Sequence, residues 1–325
     1  MRFPRRTFLH LAAGATTLPA LSRVAWSQSW PSRQVRLVVP FSPGGTTDIV
    51  ARLMGQWLSE RLHQSFVVEN RPGANGSIAT EVVLRAPADG NMLVMVNAGS
   101  TINTTLYDNL NFDLIRDVAP IASIMRVPYA MVVNPSVPAK TVPEFIAYAK
   151  ANPGKINMAS GAIGSPTHVA GELFKMMAGV DMLSVPYRGD GPALVALLGG
   201  QVQVMFAPVP ASIAYIQAGK LRALAVTSAT RVNVLPDLPT LAEFMPGYEA
   251  SSWQGIGAPR NTPAEIVDKL NKEINTALDD PTINERLADL GGAPMAMTPA
   301  AFGKLIADET EKWAKVVKFS GAKPE

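Results

Sequence analysis

The sequence contains no cysteine among its 325 residues, which excludes disulfide bonds, thiolate metal sites and cysteine nucleophiles. Histidine is scarce as well, and only His63 and His168 lie beyond the first 27 residues. Beyond that segment no run reaches the roughly 18 apolar residues of a membrane helix, so no transmembrane segment is expected there. With 47% hydrophobic and 17% charged residues, the composition is that of an ordered globular protein, long enough for two α/β domains.

Motifs for nucleotide binding and for hydrolysis are also missing. There is no G-x-x-x-x-G-K-[ST] phosphate loop and no G-x-S-x-G nucleophile elbow, and GDGPAL at 189–194 lacks the third glycine of a dinucleotide fingerprint. His168 and Glu172 would offer two metal ligands on one helix, but no third ligand has supporting spacing. The sequence therefore predicts no cofactor, no metal and no catalytic residue. His168 is either a polar residue near a helix start or a ligand contact.

Basic charge is concentrated in the first 27 residues, which contain four arginines and no acidic residue. Because four of the 29 basic residues lie there, the remainder has 25 basic against 26 acidic residues, and it shows no Lys/Arg stripe for nucleic acid. Arg5 and Arg6 precede a short apolar stretch, and Ala25-Trp26-Ser27 has small residues at both specificity positions of a cleavage site. Residues 1–27 are therefore predicted to be an export signal cleaved after Ser27, resembling the twin-arginine (Tat) type, with an ordinary Sec signal as the alternative.

Apolar and amphipathic segments alternate along the rest of the chain. Apolar runs at 34–39, 66–69 and 92–96 predict strands, separated by helical spacing from 48 to about 62 and from 77 to 85. A second series has strands at 156–159, 182–185, 202–206 and 221–227, and helix-like stretches at 263–278 and 299–318 form a third unit or return to the first. Such alternation predicts an α/β fold with mainly parallel sheets and helices on both faces.

Three loops rich in glycine and hydroxyl groups lie between predicted strands and helices: PFSPGGTTD at 40–48, SGAIGSPTH at 160–168 and PYRGDG at 186–191. In open parallel sheets, ligands bind where strands end and loops enter helices. Glycines let the backbone come close, and free N–H groups at a helix start favour negative charge. The sequence therefore predicts a site for a small anion. Asp48 is expected to shape its loop, because its own charge would repel an anion.

At these loops the chain resembles the Bug-type (TctC-like) extracytoplasmic solute receptors of tripartite tricarboxylate transporters. The likeness runs from about residue 30 to the C-terminus, through PFSPGGTTDIVARL, VVENRPGANGSIAT, APADGNMLV, SVPYRGDGPAL, LLGGQVQVMF, AGKLRALAVTS, LPDLPTLAEFMPGYEASSW and KWAKVVKFSGAK.

The resemblance implies a two-domain periplasmic binding protein of the type II, Venus-flytrap kind, here divided into domain 1 at 28–125 and 226–325 and domain 2 at 126–225. It implies a monomeric periplasmic receptor that captures a small carboxylate and delivers it to membrane permease subunits. The alternative output is signalling to a membrane sensor protein, and an enzyme of the same fold is a distant third possibility.

In such receptors, the loops matching 41–48 and 160–168 hold the ligand carboxylate from opposite lobes, and the stretches 97–101 and 187–189 also face the cleft. The residues expected to contact the ligand are Phe41, Ser42, Gly44, Gly45, Thr46, Thr47, Ser100, Ser160, Gly161, Gly164, Ser165, Thr167, His168, Arg188 and Ala207.

Two positions depart from the pattern of this family. Many relatives carry an acid after the strand at 202–206, where this chain has Ala207-Pro208-Val209-Pro210. Losing that acid favours a ligand with a second carboxylate or an aromatic body, that is, a di- or tricarboxylate or an aromatic carboxylate, and it disfavours amino acids that need a partner for their ammonium group. Arg188 stands where relatives often have lysine, and it either grips a carboxylate bidentately or forms a hinge or surface salt bridge.

Overall fold

The computed structural model describes residues 30–324, and this range contains ten strands and eleven α-helices. The strands are β1 Val35–Val39, β2 Phe66–Asn70, β3 Met92–Asn97, β4 Val118–Val133, β5 Asn157–Ser160, β6 Leu183–Pro186, β7 Val204–Pro208, β8 Arg222–Val226, β9 Ser251–Pro259 and β10 Ala293–Pro294. The helices are α1 Thr46–Leu62, α2 Ser77–Leu84, α3 Ala98–Leu106, α4 Leu114–Asp117, α5 Val142–Ala151, α6 Pro166–Ala178, α7 Asp190–Leu198, α8 Val209–Gln217, α9 Ala264–Leu278, α10 Pro281–Asp289 and α11 Pro299–Ser320. The predicted export signal at 1–27 lies outside the described residues.

The strands form a mixed sheet in two parts, each built on parallel pairs. In the first lobe β1 pairs in parallel with β2 and β3, and in the second lobe β5 pairs in parallel with β6 and β7. These pairs confirm the predicted α/β alternation. The sheet is mixed rather than mainly parallel, because β9 pairs antiparallel with β3 and β4, and β4 pairs antiparallel with β7, β8 and β10. These antiparallel pairs did not follow from the alternation.

Strand β4 runs through both lobes. Its first part, as far as Pro128, pairs with β9 in the first lobe, and from Tyr129 onward it pairs with β7 in the second. The chain returns to the first lobe between the end of β8 at Val226 and the start of β9 at Ser251. We call β4 and β9 the crossing strands, because β4 spans the first crossing and β9 begins at the second. The sequence predicted domain boundaries after residues 125 and 225. These boundaries remain a proposal, and the two crossings lie near them.

Helices cover both faces of each lobe, which explains why strands such as β1 and β7 are mostly apolar. In β1, Val35 and Leu37 belong to the buried cluster on one face, and Val38 belongs to the cluster on the other. In β7, Phe206 and Met205 divide between two clusters in the same way. A strand buried on both faces is expected to be a nearly continuous hydrophobic run. Strands β1 and β7 fit this expectation, with Arg36 as the exception in β1.

The last helix, α11, contributes to the cores of both lobes. Its first half places Phe302 in the buried cluster with Trp253 of the first lobe, whereas Trp313 lies in the large cluster of the second. Between them, the buried carboxylate of Glu309 accepts hydrogen bonds from the indole N–H groups of Trp253 and Trp313, at 3.2 and 2.9 Å. Helix α11 therefore ties the two lobes together beside the crossing strands.

None of the helices described between residues 30 and 324 is long and apolar enough to cross a membrane.

Candidate functional site

A cavity of about 320 Å³ lies between the lobes, within the size range of small-molecule sites. Both lobes and both crossing strands contribute to its wall. The lining residues are Phe41, Gly45, Thr46, Thr47, Asn75, Asn97, Gly99, Val127, Tyr129, Ser165, Pro166, Thr167, Asp190, Pro208, Ser252 and Gln254.

Five helix starts contribute to this cavity. Helices α1, α3, α6, α7 and α8 each follow a parallel strand, β1, β3, β5, β6 or β7, and each has its N-cap or a first-turn residue in the wall. The first N–H groups of a helix have no partner within the helix, and its dipole places about half a positive charge there. The cleft therefore attracts a negative group, although no lysine, arginine or histidine of residues 30–324 is among its lining residues.

The start of α1 offers free N–H groups to this cavity. Its N-cap is Gly45, no side chain caps the helix, and Thr46 and Thr47 in its first turn line the cavity. The left-handed backbone falls on the preceding residue, Gly44, at φ +87°, and an added Cβ at Gly45 would meet only a carbonyl oxygen 3.9 Å away. The N–H groups of this turn are thus free to bind a ligand.

Asp48 holds this loop in shape, as the sequence predicted. Its carboxylate accepts the Gly44 N–H at 2.9 Å and also hydrogen bonds from Arg52 and Asn70. The hydrogen bond from Arg52 is the main reason why the pKa of Asp48 falls to about 2. The Asp48 side chain is buried and is not part of the cavity wall.

The corresponding loop of the second lobe is held by its own hydroxyl groups. Ser165 caps α6 by accepting the His168 N–H at 3.2 Å. Thr167 Oγ1 accepts the Gly161 N–H at 3.1 Å and donates to Asp190 Oδ1 at 3.0 Å. These bonds fix Ser165 and Thr167 at the wall, and they join the loop at 160–168 to the start of α7.

His168 supports this loop from behind. Its Nδ1 accepts the Gly164 N–H at 3.2 Å, and its Nε2 lies 3.6 Å from Oε1 of the buried Glu172. Burial lowers the pKa of His168, so the ring is neutral and carries its proton on Nε2, facing Glu172. The sequence left two interpretations of His168 open, a polar residue near a helix start or a ligand contact. This geometry matches the first. No group of three or more potential metal ligands is found within residues 30–324.

Six of the fifteen predicted contact residues line the cavity, namely Phe41, Gly45, Thr46, Thr47, Ser165 and Thr167. The others lie outside the wall, and several of them shape it. Ser100 forms a capping box with Asn97, and an added Cβ at Gly164 would come within 2.3 Å of Leu106 on α3. Arg188 is exposed and Ala207 is buried inside β7. The remaining predicted contact residues outside the wall are Ser42, Gly44, Ser160, Gly161 and His168.

The wall also contains residues that the sequence did not single out. Tyr129, Ser252 and Gln254 come from the crossing strands β4 and β9, which had not been predicted. Asp190 lies within the predicted loop PYRGDG, at the first position of α7, but was not chosen. Its position directly after the glycine N-cap was the available signal.

Asp190 is the one acidic residue among the lining residues described. Burial raises the pKa of its carboxyl group, and the hydrogen bond from Thr167 acts in the opposite direction. The carboxylate lies against Gly161, where an added Cβ would come within 2.5 Å of Oδ1. A second acceptor in the wall, Oε1 of Gln254, is buried and has no hydrogen-bond partner within residues 30–324.

The two lobes, the crossing strands and the helix starts around the cleft define a solute-binding receptor of the periplasmic binding protein class. Comparison with known proteins identifies the family. The tripartite tricarboxylate transporter family receptor model (TctC) matches residues 50–321. The chain therefore belongs to this family of extracytoplasmic solute receptors.

Individual relatives extend over nearly the whole chain. Protein BugT of Bordetella pertussis (strain Tohama I) is 37% identical over 300 residues, covering 91% of this chain and 92% of that protein. The solved structure of R. palustris Rpa4515 with adipate is 40% identical with a TM-score of 0.76, covering 91% of this chain and 100% of the other. MatC (Rpa3494) from Rhodopseudomonas palustris with bound malate is 34% identical with a TM-score of 0.73, covering 88% and 99%.

Proposed function

We propose that this receptor captures a small carboxylate between its lobes and delivers it to the permease subunits of a tripartite transporter. The observation that carries the proposal is the uncapped start of α1 at Gly45, which faces the capped start of α6 across one cavity. Relatives of the same family have been solved with adipate and with malate. The ligand contacts we propose are Gly45, Thr46 and Thr47 from the first lobe and Ser165 and Thr167 from the second.

Binding of useful strength requires both lobes. A charge-assisted hydrogen bond contributes about 1.5–3 kcal/mol net, whereas association costs roughly 4–15 kcal/mol. Two or three such bonds from one loop barely offset that cost. Two loops that close on the same anion reach the roughly 8 kcal/mol of micromolar binding. Closure of the cleft is therefore part of the proposal, and the closed form is what the permease recognises.

The cellular setting belongs to the same proposal. The paired arginines Arg5 and Arg6 support export by the Tat route, and cleavage after Ser27 releases a periplasmic receptor. The protein acts as a monomer with two domains joined at the crossings near Pro128 and Val226. It binds its ligand without chemical turnover.

A thermal-shift panel tests the carboxylate assignment. The mature protein is melted with aliphatic, aromatic and amino carboxylates, each beside the corresponding amide, which lacks the negative charge of the carboxylate. A carboxylate at a hundred times its Kd stabilises the folded state by about 2.7 kcal/mol, so its melting temperature rises while that with the amide does not. Equal shifts with acid and amide, or no shift across the panel, would overturn the proposal.

A further inference from the structure

The absence of an acid at position 207 is expected to disfavour an amino acid as ligand, but another element supplies the cleft with an acid. Position 207 is an alanine buried in β7, whereas Asp190, at the start of α7, lines the cavity. Its Oδ1 accepts the Thr167 hydroxyl, and no donor from residues 30–324 binds its Oδ2. The exposed Arg188, two residues earlier, is not among the lining residues. The cleft therefore has a carboxylate of its own without a cationic partner.

Gln254 adds a second unmatched acceptor. It is only 4% exposed, it lies on the crossing strand β9, and its Oε1 has no partner within the described residues. A buried acceptor without a donor is costly, so native proteins rarely leave one unmatched unless a ligand or water completes it. Gln254 and Asp190 both line the cavity, and neither Gln254 Oε1 nor Asp190 Oδ2 has a donor from the described residues.

We propose that the ligand is an amino carboxylate, whose protonated amine meets Asp190 and Gln254 while its carboxylate is held at the helix starts. An ammonium group supplies three N–H donors and a positive charge. It thus satisfies both acceptors and neutralises Asp190. A second carboxylate at the same place would repel the Asp190 carboxylate and offer no donor. This inference rests on the proposed function, and it narrows the class of carboxylate bound.

The structural alternative for Asp190 is that an acid in a first helical turn stabilises the helix, whatever the ligand. A matched control is available at the start of α9, where Glu265 is an exposed first-turn acid that is not among the residues lining the cavity. If Asp190 acts only through its helix, Asp190→Asn and Glu265→Gln should both leave the choice of ligand unchanged.

The test uses triples of carboxylates that share a skeleton and differ in one substituent: succinate, malate and aspartate; glutarate, 2-hydroxyglutarate and glutamate; and 3-phenylpropionate, 3-phenyllactate and phenylalanine. Calorimetric titration should show that the amino member of the best-binding triple binds the native protein most tightly. Asp190→Asn should weaken that member about tenfold or more while leaving the unsubstituted member equal or tighter. Glu265→Gln should preserve the native order.

The outcomes separate this inference from the proposed function. If carboxylates bind but the unsubstituted or the hydroxy member binds as tightly as its amino counterpart, the amino carboxylate is excluded and the carboxylate receptor stands. An unchanged preference in folded Asp190→Asn has the same meaning. If Asp190→Asn fails to fold, the order of affinities within each triple, measured on the native protein, still tests the proposal. If no carboxylate binds at all, both proposals are overturned.

Discussion

Replacing Gly45 with valine should abolish carboxylate binding while leaving the protein folded. Gly45 has φ −79° and ψ 166°, a conformation that any residue adopts. A Cβ there meets only the Ser42 carbonyl oxygen, 3.9 Å away. The helix has no side-chain cap to lose. The free energy of unfolding should therefore change by no more than about 1 kcal/mol.

The effect on binding should be much larger. Gly45 lines the cavity directly before Thr46 and Thr47, so the valine methyl groups would occupy the space above the uncapped N–H groups. Losing two charge-assisted hydrogen bonds costs at least about 3 kcal/mol, which raises Kd by more than about a hundredfold. The loss arises in the cleft and not in the core.

Calorimetric titration with the tightest-binding carboxylate measures this loss, with urea unfolding as the measure of stability. Gly44→Ala is the matched control at the neighbouring position. Gly44 has φ +87° and does not line the cavity, so its replacement should cost about 1–2 kcal/mol of stability and leave affinity nearly unchanged. Near-native affinity in folded Gly45→Val would refute the placement of the site.

Three further outcomes follow from the structure and the sequence. Because the pKa of Asp48 is lowered to about 2 from 3.8, its stabilisation is complete above pH 3.8 and is lost as the pH falls through 2. Melting curves of Asp48→Asn should therefore lose part of this acid dependence, and identical acid profiles for the two proteins would contradict it. Small-angle scattering should give a smaller radius of gyration at saturating ligand, and an unchanged radius would argue against closure. Changing Arg5 and Arg6 together to lysine should keep the precursor in the cytoplasm, and normal export would exclude the Tat route.

Local sequence signals predicted the parts of the fold that depend on neighbouring residues. The parallel strands are short runs buried on both faces, and the helices between them follow apolar spacing, so both are visible in the sequence. Strands β4 and β9 were not predicted, although β4 is a long apolar run; what the sequence does not indicate is their antiparallel pairing, which joins distant residues such as Arg126 and Trp253. Nothing in a local window indicates that pairing.

The same limit explains the candidate site. The loops after β1 and β5 were found because glycines and hydroxyl residues at a helix start are a local pattern. Tyr129 and Gln254 were not found, because they lie on the crossing strands and reach the cleft only through them. Within the predicted loops, the sequence could not separate residues of the wall, such as Thr167, from those behind it, such as His168.

A crystal structure of the mature protein with the tightest-binding carboxylate tests the central claim most directly. The ligand carboxylate should lie within hydrogen-bonding distance of the Thr46 or Thr47 N–H from one lobe, and of Ser165 or Thr167 from the other, directly or through one water. A carboxylate bound outside this cavity, or held by one lobe alone with the cleft open, would contradict it.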